Sequence, residues 1–242
     1  MSTGARVAPV STAAAADAPE GLEINRASAV DQVATAVRKN ILNGDLPPGT
    51  ALREMQMAES MGISRNTVRD AVRALAREGL VTHTMHRGAI VTRLTEADVI
   101  DVFRVRERIE TQAIAASESA TEEQLLALEE AVLRIERAAR IGDWELAVEA
   151  DCLFHQRLVG FLGSPRLDHF YDAIQGELRL CLSLADRADD DFGELVNEHR
   201  ELYDLIARGE RARCAERLTQ HLRVASDRLS DLVRVPAQGE RS

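Results

Sequence analysis

The 242-residue chain has room for one or two domains of ordinary size, and its composition, 45% hydrophobic and 29% charged, excludes a wholly disordered chain. Taken over its whole length, a formal net charge of −10 argues against a nucleic-acid binder. That total hides an asymmetry: residues 1–95 hold 11 Lys and Arg against 9 Asp and Glu, whereas residues 96–242 hold 19 against 31, so the acidity belongs to the second part.

Residues 1–21 are rich in Ala, Ser and Pro without periodicity and read as a disordered tail. Asp17 and Glu20 interrupt the Ala run, which therefore fails as a signal peptide. No later segment approaches the roughly 18 uninterrupted apolar residues of a membrane span. Cys152, Cys181 and Cys214 are widely spaced and without a C-x-x-C pair, as expected of a reduced, cytoplasmic protein in which each thiol is a small buried hydrophobe.

Residues 22–94 are assigned to a winged helix-turn-helix. After a helix over Glu54–Met61, Gly62 lets the backbone leave it, Ile63 fills the gap between helices, and Ser64 can cap the next one. Val68, Ala71, Val72 and Leu75 then recur at helical spacing as one apolar face. The start of this helix is left polar and basic. In helix-turn-helix proteins that end enters the major groove, where Arg forks onto guanine and Asn onto adenine. Arg65, Asn66 and Arg69 are the candidate base readers, and Ser64 and Thr67 the candidate phosphate contacts. Beyond Gly79, Leu80–Thr82 and Ala89–Thr92 read as two short strands of a wing, with Arg87 beside Gly88 placing a cation where the backbone can approach DNA closely.

From Thr95 to residue 234 the pattern is helix after helix: Glu96–Ser119, Glu122–Ile141, Trp144–Leu162, Pro165–Ala188, Phe192–Arg208 and Glu210–Val233, with glycine stops at Gly142, Gly163 and Gly209. Long helices with short loops pack antiparallel, so the fold class is mostly α: a winged head followed by an all-α antiparallel bundle, with residues 235–242 a flexible tail. Within the bundle, Asp151 and His155 lie one turn apart on one helix face, and His199 and His221 sit on later helices. One Asp and three His can converge on a divalent metal, yet D-x-x-x-H is common in helices, and on spacing alone a buried His is more often a satisfied core residue than a ligand.

These residues carry a family resemblance. Val33–Leu94, through Leu46-Pro47-Pro48-Gly49, Leu52-Arg53-Glu54, Gly62-Ile63-Ser64-Arg65, Val68-Arg69, Glu78-Gly79-Leu80-Val81 and Arg87-Gly88, resembles the DNA-binding head of GntR-family transcriptional regulators, and adds Arg53 to the DNA-contact set. The family usually has Thr or Ala and then Pro after the Ser-Arg pair; here Asn66 and Thr67 follow, so operator choice is where this chain departs. Residues 96–233 resemble the FCD effector domain of the FadR-like subfamily, through Arg106-x-x-x-Glu110, Asp151-x-x-x-His155, Glu198-His199, Gly209-Glu210 and His221.

The resemblance implies one divalent transition metal per chain (Zn, Ni, Co or Mn) held by Asp151, His155, His199 and His221, and a small carboxylate effector completing its coordination. Arg106, then Arg104 and Arg179, are the candidate effector contacts, with an ion pair to Glu110 an equal reading for Arg106. It further implies a homodimer on a palindromic operator and repression released by the acid, with a hinge expected between Val91 and Ala97. A constitutive architectural DNA binder with a structural metal is the alternative. A metal-dependent hydrolase is a further one, disfavoured because Glu198, one residue from His199 and so about 100° round the helix, is expected to point away from the metal.

Overall fold

A computed structural model describes residues 26–85, 88–183 and 192–234. The predicted tails 1–21 and 235–242, the end of the fourth predicted bundle helix beyond Ser183, and Arg87 lie outside the described residues. The head opens with α1 (Arg26–Leu42), which the sequence reading does not single out, followed by α2 (Glu54–Met61), α3 (Arg65–Arg77) and a hairpin of β1 (Val81–Thr84) and β2 (Gly88–Val91). Six bundle helices follow among the described residues: α4 (Glu96–Ala116), α5 (Glu122–Ile141), α6 (Trp144–Val159), α7 (Pro165–Ser183), α8 (Phe192–Ala207) and α9 (Arg211–Arg234). The predicted ends at Ser119 and Leu162 are single 3-10 turns, a common way for a last helical turn to tighten.

The turn between α2 and α3 forms as its residues dictate. Gly62 takes the left-handed conformation (φ 65°), and the Ser64 hydroxyl accepts from the Thr67 amide at 3.1 Å. Val68, Ala71, Val72 and Leu75 of α3 then bury completely against Val33, Val37 and Ile41 of α1 and Leu80 and Val91 of the hairpin. At about 1.5–3 kcal/mol for each large aliphatic side chain, this burial holds the small head together. The wing is an antiparallel pair in register Val81 to Val91 and Thr84 to Gly88, extended by a bridge from Ala51 to Ile90.

In the bundle, α5 pairs with α6, α4 with α9, and α8 packs between α5 and α9. The core is built from Phe103, Ile114, Leu128, Val132, Ile135, Phe154, Leu158, Leu202, Leu218 and Leu222. Capping boxes start α4 (Thr95 with Asp98) and α5 (Thr121 with Gln124), and Asp143 caps α6.

Head and bundle are joined by more than the covalent link. Leu180 of α7 belongs to the head's core, and the helix backbone at Gly176 lies so close to the end of α3 that a Cβ there would stand 1.4 Å from the Glu78 carbonyl oxygen. Glu78 is in turn paired with Arg38 of α1 at 2.6 Å. The expected hinge is therefore only part of the connection: Thr92 is tied back by its amide to Leu80 and by its hydroxyl to Gly79 (2.6 Å), and any movement of the head must also release α7.

Candidate functional site

On the head, the starts of α2 and α3 share an exposed edge. Arg53, Ser64, Arg65 and Asn66 are exposed there, and Thr67 is half-buried with its hydroxyl 2.8 Å from that of Ser64. Gly88 lies exposed at the wing. Glu54, at the first turn of α2, receives Arg69 Nε at 3.2 Å and lies 3.6 Å from Arg65 Nε. Sequence reasoning missed this acid. It holds both arginines along the edge while leaving the Arg65 side chain 60% exposed. Replacing Arg69 by Ala is expected to cost about 1–3 kcal/mol of operator binding if it reads a base; an equal loss on operator and random duplex in a fluorescence titration would mark it as a phosphate contact instead.

The bundle brings Asp151, His155, His199 and His221 together, all buried, with one donor atom from each lying within 4.8 Å of the others. The His155 and His221 rings stack 5.4 Å apart and the His199 ring stands edge-on to both. Each ring is set by its Nδ1: His155 donates to Glu110 Oε2 (2.7 Å), His199 to the Leu195 carbonyl (2.8 Å) and His221 to Glu198 Oε2 (2.8 Å). Carbonyls and ionised carboxylates only accept, so all three Nδ1 atoms carry the proton, and the Nε2 atoms are the ring positions that could bind an ion.

The electrostatics agree. Burial alone would raise the Glu110 carboxyl, but Arg106, His155 and Tyr171 outweigh it and bring it to about 2. Burial likewise opposes ionisation of Asp151, and its bond to His199 and the nearby charges hold it below the usual carboxylate range. Burial lowers His155 to about 4, against the pull of Glu110, so it is neutral. For His199 burial is outweighed by Asp151, whose Oδ1 is 2.9 Å from its Nε2, and its pKa rises. His199 Nε2 is also 3.3 Å from His155 Nε2. A carboxylate and the facing imidazole nitrogens of three histidines thus share one buried space. That is the environment a divalent cation requires, and the donor set of one oxygen and three nitrogens fits such an ion.

Next to Asp151 and His221 is a cavity of about 110 Å³, walled in part by Phe103, Trp144, Val148, Leu178 and Leu229. Arg106 enters it from α4. Both readings of this arginine have a physical basis: its Nε donates to Glu110 at 2.8 Å, while its buried Nη2 has no partner among the described residues. Glu110 accepts in addition from the Tyr171 hydroxyl (2.5 Å), so one buried carboxylate ties α4 to α6 and α7.

Two of the proposed effector contacts are placed elsewhere. Arg104 is exposed and sits 3.5 Å from Asp101, because two residues along a helix turn it about 200° away from Arg106. Arg179 is absent from this cavity's lining; its neighbour Leu178 lines it, and Arg179 faces the cleft toward α1 and the groove beside Arg134 and Arg137. The expectation for Glu198 is also corrected. It lines the cavity and reaches across to His221 of α9, a partner that the spacing within α8 does not reveal, and its hydrogen bond to that ring, chiefly, lowers its pKa.

Comparison with known proteins divides the chain at the same place. Residues 29–91 match the family model described as bacterial regulatory proteins, gntR family, and residues 101–224, just over half of the chain, match the FCD domain. A transcriptional regulator from the unstable DNA locus of Streptomyces ambofaciens is 30% identical over 83% of this chain and 84% of its own length. The gluconate operon transcriptional repressor of Bacillus subtilis is 24% identical over 86% of this chain and 88% of its own. Among solved structures, a GntR transcriptional regulator from Rhodococcus sp. RHA1 superposes with a TM-score of 0.72 at 27% identity, covering 84% of this chain and 97% of that one.

Proposed function

The chain belongs to the gntR family of bacterial transcriptional regulators, with an FCD domain behind its DNA-binding head, and from that premise we propose that it is a homodimeric repressor released from a palindromic operator by a small carboxylic acid bound at a metal centre. The observation that carries the metal is the set of three histidines whose Nδ1 protons are each held by an oxygen acceptor, beside the Asp151 carboxylate. Asp151 Oδ1 and the Nε2 atoms of His155, His199 and His221 would hold the ion. Its chemistry there is that of a Lewis acid for the oxygens of a carboxylate.

The protein's own groups do the rest. Glu110 and Glu198 orient two of the three ligand rings, and Arg106 Nη2 donates to the acid's carboxylate while its Nε stays on Glu110. The signal has a physical path in α7. Leu178 and Leu182 line the cavity, whereas Leu180 between them packs into the head core. An acid that fills the cavity shifts α7 on one side and the head on the other, provided it binds the two head positions differently; coupling of about 1–3 kcal/mol is usual for such systems. One head reads only a few base pairs, so a two-fold pair on a palindrome supplies useful affinity. The relatives support the sign, since the Bacillus subtilis protein is described as an operon repressor.

The test is metal analysis of the purified full-length protein, followed by operator titrations with and without organic acids. One zinc- or nickel-class ion per chain and operator release only with metal and acid together are the expected results. His199→Ala is expected to drop the metal content well below one per chain while the head still binds DNA. Full stoichiometry in that variant removes His199 from the ligand set.

A further inference from the structure

Resting on the reading of an acid-binding cavity, we infer that the effector is a short monocarboxylic acid with an apolar body and at most one further acceptor oxygen, not a polyhydroxylated sugar acid. Size is the first argument. The cavity measures about 110 Å³, whereas a cavity of about 150 Å³ is what benzene, with its six carbons, occupies in an engineered protein core. An acid with five or six hydroxylated carbons exceeds that space.

Polarity is the second argument. Beyond Asp151 and Arg106 the walls are dominated by Phe103, Val148, Leu178, Leu195, Val224 and Leu229, surfaces that a methyl or small ring fills and a hydroxyl does not. The acidic side chains, His221 and Arg228 among them already have interactions. Glu198 holds His221 and Arg217, and Glu194 and Arg228 each have an interaction of their own.

The third argument is the kind of hydrogen-bonding atom left over. Among the lining residues, the buried polar atoms without a partner among the described residues are Arg106 Nη2 and Trp144 Nε1, and both are donors. The ligand they suit offers acceptors: a carboxylate for Arg106, and one oxygen such as a 2-oxo group for Trp144. A sugar acid brings several hydroxyl donors that these walls do not satisfy, and each hydroxyl buried without a partner costs roughly tenfold or more in affinity.

The experiment is calorimetric titration of the zinc-loaded full-length protein with butyrate, 2-oxobutyrate, 3-methyl-2-oxobutanoate, gluconate and citrate. The aliphatic acids are expected to bind at least tenfold more tightly than gluconate or citrate. Val148→Phe, which narrows the apolar end without touching a metal ligand, should weaken 3-methyl-2-oxobutanoate at least tenfold at unchanged zinc content. Val148→Ala should shift preference toward the branched 3-methyl-2-oxobutanoate over 2-oxobutyrate, and it tests the same wall if the Phe variant misfolds. Gluconate or citrate binding as tightly as the aliphatic acids overturns the effector class and leaves the acid-binding reading standing. An unchanged preference between 3-methyl-2-oxobutanoate and 2-oxobutyrate in both Val148 variants removes Val148 from the wall and overturns the inference. No binding by any of the five acids overturns the acid-binding reading itself.

Discussion

Glu110→Gln is expected to destabilise the bundle by about 3–5 kcal/mol, the usual cost of leaving one member of a buried ion pair without its countercharge. The substitution keeps the shape and an acceptor oxygen for the Tyr171 hydroxyl but removes the charge that faces Arg106, which is buried to 2% exposure. It also weakens the acceptor that holds His155 Nδ1, so zinc affinity should fall about 10- to 100-fold, the range found when a partner behind a ligand ring is lost. The Arg106→Met/Glu110→Gln double variant separates the two effects. With neither charge buried, most of the stability should return, while the zinc defect persists because His155 still lacks its carboxylate. Denaturant midpoints and metal titrations on the three proteins measure both quantities. A loss below about 1 kcal/mol in Glu110→Gln contradicts the assignment of Glu110 as the countercharge of Arg106.

That network marks the boundary of what is legible in the chain. Local signals placed the helices well, because Gly62, Gly142 and Gly163 and the caps at Ser64 and Asp143 act within a few residues of themselves. The spacing of Asp151 and His155 could be read as one face of α6 for the same reason. The partners of the site's side chains could not. Tyr171 and Glu110 meet across 61 residues and His221 and Glu198 across 23, and no periodicity encodes such contacts. Arg104 was open to exclusion, since a position two residues from Arg106 must face another way. Arg179 was not: α7 is covered on one side by the cavity and on another by the head, so neither face of it reads as the solvent side. The Asn66-Thr67 departure has a local answer, because the Thr67 hydroxyl is within hydrogen-bonding distance of the capping serine. The docking of the head on α7 left a single trace, a glycine inside a helix.

Gly176→Ala is the sharpest test of that docking. In an open helix interior the change from Gly to Ala gains about 1 kcal/mol, because the backbone loses less entropy on folding. At Gly176 the added methyl would stand 1.4 Å from the Glu78 carbonyl oxygen, a backbone atom that cannot rotate aside, so α7 and the end of α3 must separate. The sign is therefore reversed: a loss of about 1–3 kcal/mol or more is expected, confined to the contact between head and bundle. Gly160→Ala is the control, since nothing lies within 4 Å of a Cβ there. Hydrogen exchange should show faster opening of the Gly79 and Leu80 amides in the Gly176 variant, with zinc content intact. If α7 carries the signal, operator affinity in this variant should no longer respond to the acid, because Leu180 no longer sits in the head core while Leu178 still lines the cavity. Undiminished release of the operator by acid, from a head whose exchange shows it detached, would place the coupling in the segment from Val91 to Ala97 instead.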